Sequence, residues 1–358
     1  MMNIELVKPE WVVGDEKRFY DFIGDIDDKD KVAIISHNDL DGVVAAKLAN
    51  EVLDADLIIL LGYTDLNEKL VKELKEKKIK KVIFTDLNFS NPDILFSISN
   101  FSRILYIDHH KITNDFNSNN IIFMNAQGFC AGYLCYYLFS KIQDLSKMDW
   151  LVCCSCISDY MYFKNQEWIK KIFDKYEDKF MIIGENLRNE GIFWNLQAGL
   201  SLALTYFKDN PKKVYNSIGN EFGNIGDLKK YSDIIQKELD NLLKRYDKEK
   251  EIINGVSFWE VNSKYSVKDI LVNILSHKNR DKTLIFIQND RGVYKISARR
   301  QDKTVDLPNL LGELLNGFEN SSSGGHIPAA GGGFPEKYLD EFKRRLKEIP
   351  EQKVKEKP

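Results

Sequence analysis

Three of the five histidines in this 358-residue chain fall in two short segments crowded with aspartate. One reads Ser36-His37-Asn38-Asp39-Leu40-Asp41-Gly42 and the other Asp108-His109-His110, and a further aspartate, Asp86, follows Thr85. Carboxylates and imidazoles without thiolates suit divalent metals of intermediate hardness, Mn²⁺ above all. Two such ions ~3.5–4 Å apart lower the pKa of a bridging water and clamp a phosphoryl group during in-line displacement. A lone aspartate after a strand is commonly a helix cap or turn residue, and Asp86 alone decides nothing. The whole set exceeds what capping requires. Asp39 and Asp41 are two residues apart, so in an extended loop their side chains project the same way.

The flanking sequence says what must position these groups. Residues 31–36, 56–61, 81–85, 103–107 and 120–124 are short apolar runs of strand length. Helical patterns follow at 42–53, with Val43, Val44, Ala46, Leu48, Ala49 and Leu53, and after Asp65, which is expected to cap a helix carrying Leu66, Leu70, Val71 and Leu74. Strands alternating with helices indicate an α/β fold with a doubly wound parallel sheet. The three chemistry-bearing segments then all lie at carboxyl ends of strands, where open parallel sheets bind ligands. Helical runs at 131–141 and 148–158 follow, and residues 160–250 read as mostly helical. The charged stretch 228–250 has the composition of a connector. Beyond it, 256–261, 283–288 and 292–298 read as strands and 267–276 and 308–317 as helices, a second, smaller α/β domain. The division expected is 1–195 for the metal-bearing domain, 196–250 for the helical connector, 251–346 for the smaller domain and 347–358 for a charged tail.

Composition excludes several classes. Apolar residues make up 43% and charged residues 29%, with a net charge of −3, which is ordinary globular chemistry rather than disorder. No apolar run approaches the ~18–20 residues of a membrane span, and no charged-then-apolar leader opens the chain. Cys130, Cys135, Cys153, Cys154 and Cys156 lie in apolar surroundings and read as reduced thiols of a cytoplasmic protein. Their one CxxC spacing lacks the second pair a zinc site needs. His277 is isolated and reads as a surface residue. Residues 260–310 carry ten Lys or Arg against six Asp or Glu, so the smaller domain is the half suited to a polyanion. Gly324, Gly325, Gly331, Gly332 and Gly333 read as a loop whose backbone approaches a ligand and offers an anion nest, with His326 and Arg299 supplying charge to a phosphate.

In combination these segments are recognisable. His37-x-Asp39-x-Asp41-Gly42, Asp86 after a strand, and Asp108-His109-His110 resemble the first three motifs of the DHH phosphoesterase superfamily. Ile157-Ser158-Asp159 after the Cys-rich helix resembles the fourth, with Tyr160 where the family has threonine. Gly324-Gly325-His326-Ile327-Pro328-Ala329-Ala330-Gly331 looks like the GGHxxAAG motif of the DHH-associated C-terminal domain, and Ser297-Ala298-Arg299 like its Ser-x-Arg strand. The resemblance spans about residues 31–346. It implies one metal on His37, Asp39 and Asp86 and another on Asp41, Asp86, His109 and Asp159. Asp86 would bridge, Asp108 would orient the histidine pair, and His110 would face the substrate phosphate. Arg299, Gly324, Gly325, His326, Ala329, Ala330 and Gly331 would bind substrate.

The implied activity is two-metal hydrolysis of a phosphodiester, with two Mn²⁺ for which Mg²⁺ or Co²⁺ can substitute. A cleft closed by two domains suits a single strand, since a duplex ~20 Å across would not fit. The favoured expectation is a RecJ-like single-strand exonuclease or oligonucleotidase acting on DNA, RNA or short oligonucleotides. Cyclic dinucleotide or dinucleotide phosphodiesterase is the alternative, followed by inorganic pyrophosphatase and an inactive scaffold. No membrane partner is expected. Self-association and replication or repair proteins are open as partners.

Overall fold

The computed structural model describes residues 4–89, 92–112, 114–183 and 186–350, and the expected charged tail therefore lies largely outside the described residues. The chain divides into two compact units, with the division between Ser232 and Asp233.

In the first unit, α1 (Glu16–Gly24) precedes the alternating series β1 (Val32–His37), α2 (Leu40–Leu53), β2 (Leu57–Leu61), α3 (Glu68–Glu76), β3 (Lys81–Thr85), α4 (Asp93–Ser99), β4 (Arg103–Asp108) and β5 (Ile121–Asn125). The five strands form one parallel sheet in the order β2-β1-β3-β4-β5. Near-continuous apolar strands are what such a sheet requires, because helices cover both faces. Ala33, Ile35, Val82 and Phe84 pack on one side with Leu70 and Leu74 of α3 and Ile94, Leu95 and Ile98 of α4. On the other side Ile34, Ile83 and Leu105 pack with α2 and with α5 (Ala131–Phe139) and α6 (Asp149–Ser158). Then come α7 (Gln166–Lys175), the small β6–β7 hairpin (Ile182–Ile183, Asn186–Leu187), α8 (Ile192–Tyr206), which packs on α6, and α9 (Lys212–Ser217). Helix α10 (Leu228–Glu249) begins in the first unit and continues in the second. All five cysteines are free and buried.

Two local expectations are corrected here. Asp65 does not cap α3. The cap is Asn67, whose side chain accepts from the Lys69 N–H at 3.0 Å, while Asp65 accepts from the Gly62 N–H. Nor do Asp39 and Asp41 share an extended loop. Asp39 is the N-cap of α2, with the Gly42 N–H 3.0 Å from its carboxylate, and the helix has already begun at Leu40. The turn of the helix sends the two carboxylates in different directions.

The second unit carries a six-stranded sheet in the order β12-β13-β11-β10-β9-β8, formed by β8 (Glu251–Ile253), β9 (Val256–Glu260), β10 (Leu284–Asp290), β11 (Val293–Arg299), β12 (Ser322–His326) and β13 (Ala329–Pro335). All pairings are antiparallel except β9 with β10. Arg291 and Gly292, both at positive φ, make the tight turn between β10 and β11 that the Gly292 signal suggests. Helix α11 (Lys268–Lys278) lies on one face, with His277 exposed in its last turn. Helices α12 (Leu307–Leu315) and α13 (Leu339–Glu348) share a core with Ile285, Ile287, Ile296, Ala298 and Ala330 of the other face. The glycine segment is thus a β-hairpin, not a loop. Its sequence has poor intrinsic strand propensity, and pairing with β11 overrides that.

Gly42 shows how tightly the β1–α2 turn is closed. A Cβ there would lie 2.8 Å from the His37 nitrogen and closer still to its carbonyl. Alanine in a helix normally stabilises relative to glycine. Gly42→Ala should instead destabilise the protein by about 1–3 kcal/mol, the cost of overpacking. Chemical denaturation checks this, and a variant as stable as the parent would contradict the closure.

Candidate metal centre

Order reverses in the first sheet between β1 and β3, the topological switch point at which open α/β sheets bind ligands. His37 ends β1, Asp86 follows β3, Asp108 ends β4, and Asp159 caps the C-terminus of α6. The structure brings the six proposed metal ligands, together with Asp108 and His110, to this end of the sheet. One group joins His37, Asp39 and Asp86, another Asp41, His109 and Asp159, and a third Asp86, Asp108, His109 and His110, each offering ligand atoms within 4.8 Å of one another. His37 Nδ1 lies 2.9 Å from Asp39 and 3.7 Å from Asp86. His109 Nε2 lies 3.2 Å from Asp86, 3.4 Å from Asp159 and 3.7 Å from Asp41. Asp86 and His109 therefore connect the two halves of the cluster.

Several of these groups are held from behind. Asp41 is buried, and its carboxylate accepts from the Ala131 N–H (2.8 Å), the Gly132 N–H (2.7 Å) and the Ser155 hydroxyl (2.5 Å). The first two are free N–H groups at the N-terminus of α5, where the helix dipole favours an anion. Gly132 permits this approach, since a Cβ there would fall 3.0 Å from Asp41 Oδ1 and still closer to Ser155 Oγ. Asp108 accepts from His110 Nδ1 at 2.8 Å and from the Tyr106 hydroxyl at 3.2 Å. It thereby orients His110 rather than both histidines. Asp86 adopts a left-handed φ of 56°, an uncommon conformation for a residue with a side chain and one that clusters at functional sites.

The electrostatics call for cations. Asp86 is 2% exposed, and burial, followed by the charges of Asp39, Asp41, Asp108 and Asp159, holds its carboxyl well above the usual range. Burial and the Asp41 and Asp39 charges push Asp159 up to about 8. Burial lowers His109, whereas Asp108 raises His110 against the effect of burial. Asp86 Oδ2 and His109 Nδ1 are buried without a hydrogen-bond partner. A buried set of carboxylates that cannot all ionise together, with unpartnered ligand atoms, fits divalent metal ions.

On the second unit, Arg299, Ala329 and His326 form one cross-strand row, and Ser297, Gly331 and Gly324 form the next row on the same face. Arg299 Nε donates to Asn273 Oδ1 and Nη1 to the Ala298 carbonyl, both at 2.8 Å. Lys268 Nζ donates to Ser297 Oγ at 2.8 Å. Two expectations change. The glycines stand in a paired ladder and do not form a nest. Ala330, out of phase by one residue, points into the core and is 2% exposed, while Gly325, also out of phase, adopts φ 136°. Sequence spacing does not single out Ser155, Gly132 or Tyr106. Ser155 lay in view within Cys153–Cys156, a segment read only for its thiols, and the others belong to no spacing pattern.

The model of the DHH family, N-terminal domain, matches residues 31–163, and that of the DHHA1 domain matches residues 255–352. The chain belongs to the DHH family. Among solved structures, this DHH-family chain is similar to exonuclease RecJ bound to manganese, with TM-score 0.69 and 12% identity over 96% of this chain and 95% of that one. RecJ from Thermus thermophilus in complex with Mn²⁺ matches with TM-score 0.69 and 12% identity, over 99% of this chain but 57% of that one. CDC45 from Entamoeba histolytica matches with TM-score 0.60 and 10% identity, over 93% and 98%. At such identities the likeness is one of fold. No curated protein matches the DHH-family chain. No helix among the described residues is long and apolar enough to cross a membrane.

The raised Asp159 has a thermodynamic consequence. The folded metal-free protein keeps a proton that the unfolded chain releases near 3.8, so this group's contribution to stability is lost as pH rises from about 4 to about 8. Metal-free protein should melt at a lower temperature at the top of that window than at the bottom, and Asp159→Asn should narrow the difference. Mn²⁺ should raise the melting temperature most at the upper end. Scanning fluorimetry across the window tests this, and equal slopes in parent and variant would count against the crowding.

Proposed function

We propose that this DHH-family protein is a metal-dependent phosphodiester hydrolase, a RecJ-like single-strand exonuclease or oligonucleotidase acting on DNA, RNA or both. The observation that carries the reading is the pair of ligand groups, His37–Asp39–Asp86 and Asp41–His109–Asp159, linked through the 3.2 Å approach of Asp86 to His109. These residues would hold two divalent ions, Mn²⁺ by ligand type, with Mg²⁺ or Co²⁺ as substitutes. When bound, such ions supply charge that stabilises phosphoryl oxygens and acidify a water.

The protein groups divide the remaining work. Helix α5 and Ser155 fix Asp41, so its ligand atom is positioned before any metal arrives. Asp108 fixes the ring of His110 through Nδ1, so that Nε2, 3.4 Å from the Tyr63 hydroxyl, is the atom turned toward a substrate phosphate. The raised affinity of His110 for a proton suits a donor to a non-bridging or leaving oxygen. Arg299 is anchored through Nε and Nη1, which leaves Nη2 for a second phosphate, and His326 stands in the same row. An arginine held in this way grips a phosphate through charge-assisted hydrogen bonds. The single-strand preference, the cytoplasmic setting and any replication or repair partner belong to the same proposal.

The deciding assay presents end-labelled DNA and RNA of graded length, beside cyclic dinucleotides, in the presence of Mn²⁺. A ladder of products from single strands supports the reading. Turnover confined to cyclic dinucleotides would replace it. Asp86→Ala should leave less than about a tenth of activity on every substrate, given the several kcal/mol such a clamp contributes.

A second test separates anchoring from chemistry. Arg299→Ala and His326→Ala should each lower kcat/KM on oligonucleotides by roughly 10–150-fold, the worth of one charge-assisted hydrogen bond. On a nitrophenyl nucleotide ester, which has no second phosphate, the losses should be far smaller. Equal losses on both substrates would remove the anchoring role.

A further inference from the structure

Tyr63 borders the metal cluster without belonging to its ligand set. It opens the single helical turn Tyr63–Asp65 just after β2, the strand paired with β1, so the sheet delivers it beside His37. Its ring lies over the His37 imidazole, with centroids 4.7 Å apart and planes 28° from parallel. Its edge meets the His110 ring at 82°, and its hydroxyl lies 3.4 Å from His110 Nε2. One face and one edge are thus engaged, yet the residue remains 45% exposed.

Exposed aromatic rings are few in this molecule. Among the described residues, the exposed aromatic side chains are Tyr20, Tyr63, Phe96, Tyr160 and Phe163. Two of the five border the cluster, Tyr63 on His37 and Tyr160 immediately after Asp159. Tyr160 is 54% exposed and holds a left-handed φ of 56°. Bare aromatic surface beside a set of carboxylates is not explained by core packing. A ring seated on one face and bare on the other offers a flat surface to another π-system.

We propose that the open face of Tyr63 is a platform on which a nucleobase of the nucleotide undergoing cleavage stacks. This inference rests on the nucleic-acid reading above and adds how the substrate is gripped. Every base has a π-face, so such a platform holds any nucleotide without selecting sequence, as a degradative enzyme requires. Tyr63 would set the position of the sugar–phosphate next to His110, and discriminate nucleotide esters from phosphate esters that carry no base.

The test compares kcat/KM of the full-length protein, with Mn²⁺, on short single strands that carry either a normal or an abasic terminal nucleotide, at each end in turn. The parent should prefer the intact terminus at the end it attacks by roughly 5- to 150-fold, the range for one base stacked on one aromatic ring. Tyr63→Leu should bring this ratio close to one. Tyr63→Phe and Tyr63→Trp keep a ring and should keep the ratio, whatever happens to absolute rates. Melting temperature and bound Mn²⁺ are measured for each variant, so loss of His37 support is visible separately. An unchanged ratio in Tyr63→Leu would overturn the platform while the nuclease reading stands, as would a parent that cleaves both substrates equally. A ratio lost in Tyr63→Phe as fully as in Tyr63→Leu would assign the effect to the hydroxyl on His110 and overturn it too. Absence of cleavage of any oligonucleotide by the parent would overturn the nucleic-acid reading and the platform with it.

Discussion

The crowding of five carboxylates at one end of a parallel sheet is the constraint to which the first unit answers. Asp41, Asp86, Asp108 and Asp159, buried or half-buried beside the more open Asp39, cannot all be charged unless positive charge is supplied. The fold supplies part of it. The N-terminus of α5 faces Asp41, His110 faces Asp108, and His37 faces Asp39. Asp86 Oδ2 is buried without a hydrogen-bond partner, the nearest histidine nitrogen, His37 Nδ1, lying 3.7 Å away, and Asp86 is the residue whose backbone is also held in an unfavourable conformation. The uncompensated charge is concentrated where the two ligand groups join.

Much of this arrangement was legible in the sequence because the sheet is parallel. Apolar runs bounded by helical patterns fix the alternation, and the alternation places every strand's carboxyl end on one side. His37, Asp86 and Asp108-His109-His110 could therefore be assigned to one crevice before any contact was known. Tertiary detail was less accessible. Asp39 and Asp41 part company because the helix begins at Leu40, ahead of its apolar pattern. Ser155 and Gly132 reach Asp41 across separations of 114 and 91 residues, and no local spacing encodes such contacts.

The second unit shows the converse error. Its glycines suggested a loop because strand propensity is weak in Ser-Ser-Gly-Gly-His and Ala-Ala-Gly-Gly-Gly. Pairing with β11 makes them strands, and the period of two then sorts the motif. Arg299, His326, Gly324, Ala329 and Gly331 fall on one face, whereas Ala330 becomes part of the core. Glycine in this hairpin leaves a surface without side chains beside Ser297, at Gly331 and Gly324, which is a different use of the residue from a turn or a nest.

The separation in sequence of the groups that meet at the switch point bears on how the protein comes into being. His37 and Asp159 are ends of one cluster, and the chain runs through β2 to β5 and α2 to α6 between them. Parallel pairings and contacts of this span are closed late, because the chain must first give up the entropy of long loops. A nascent chain that has emerged only as far as β5 has every strand of its sheet and most of its acidic groups, but neither the helix end that steadies Asp41 nor Asp159. The Asp41–His109–Asp159 group is therefore completed only when α5 and α6 have docked, whereas His37, Asp39 and Asp86 have all emerged by then, so the growing polypeptide acquires its two ligand groups in a fixed order.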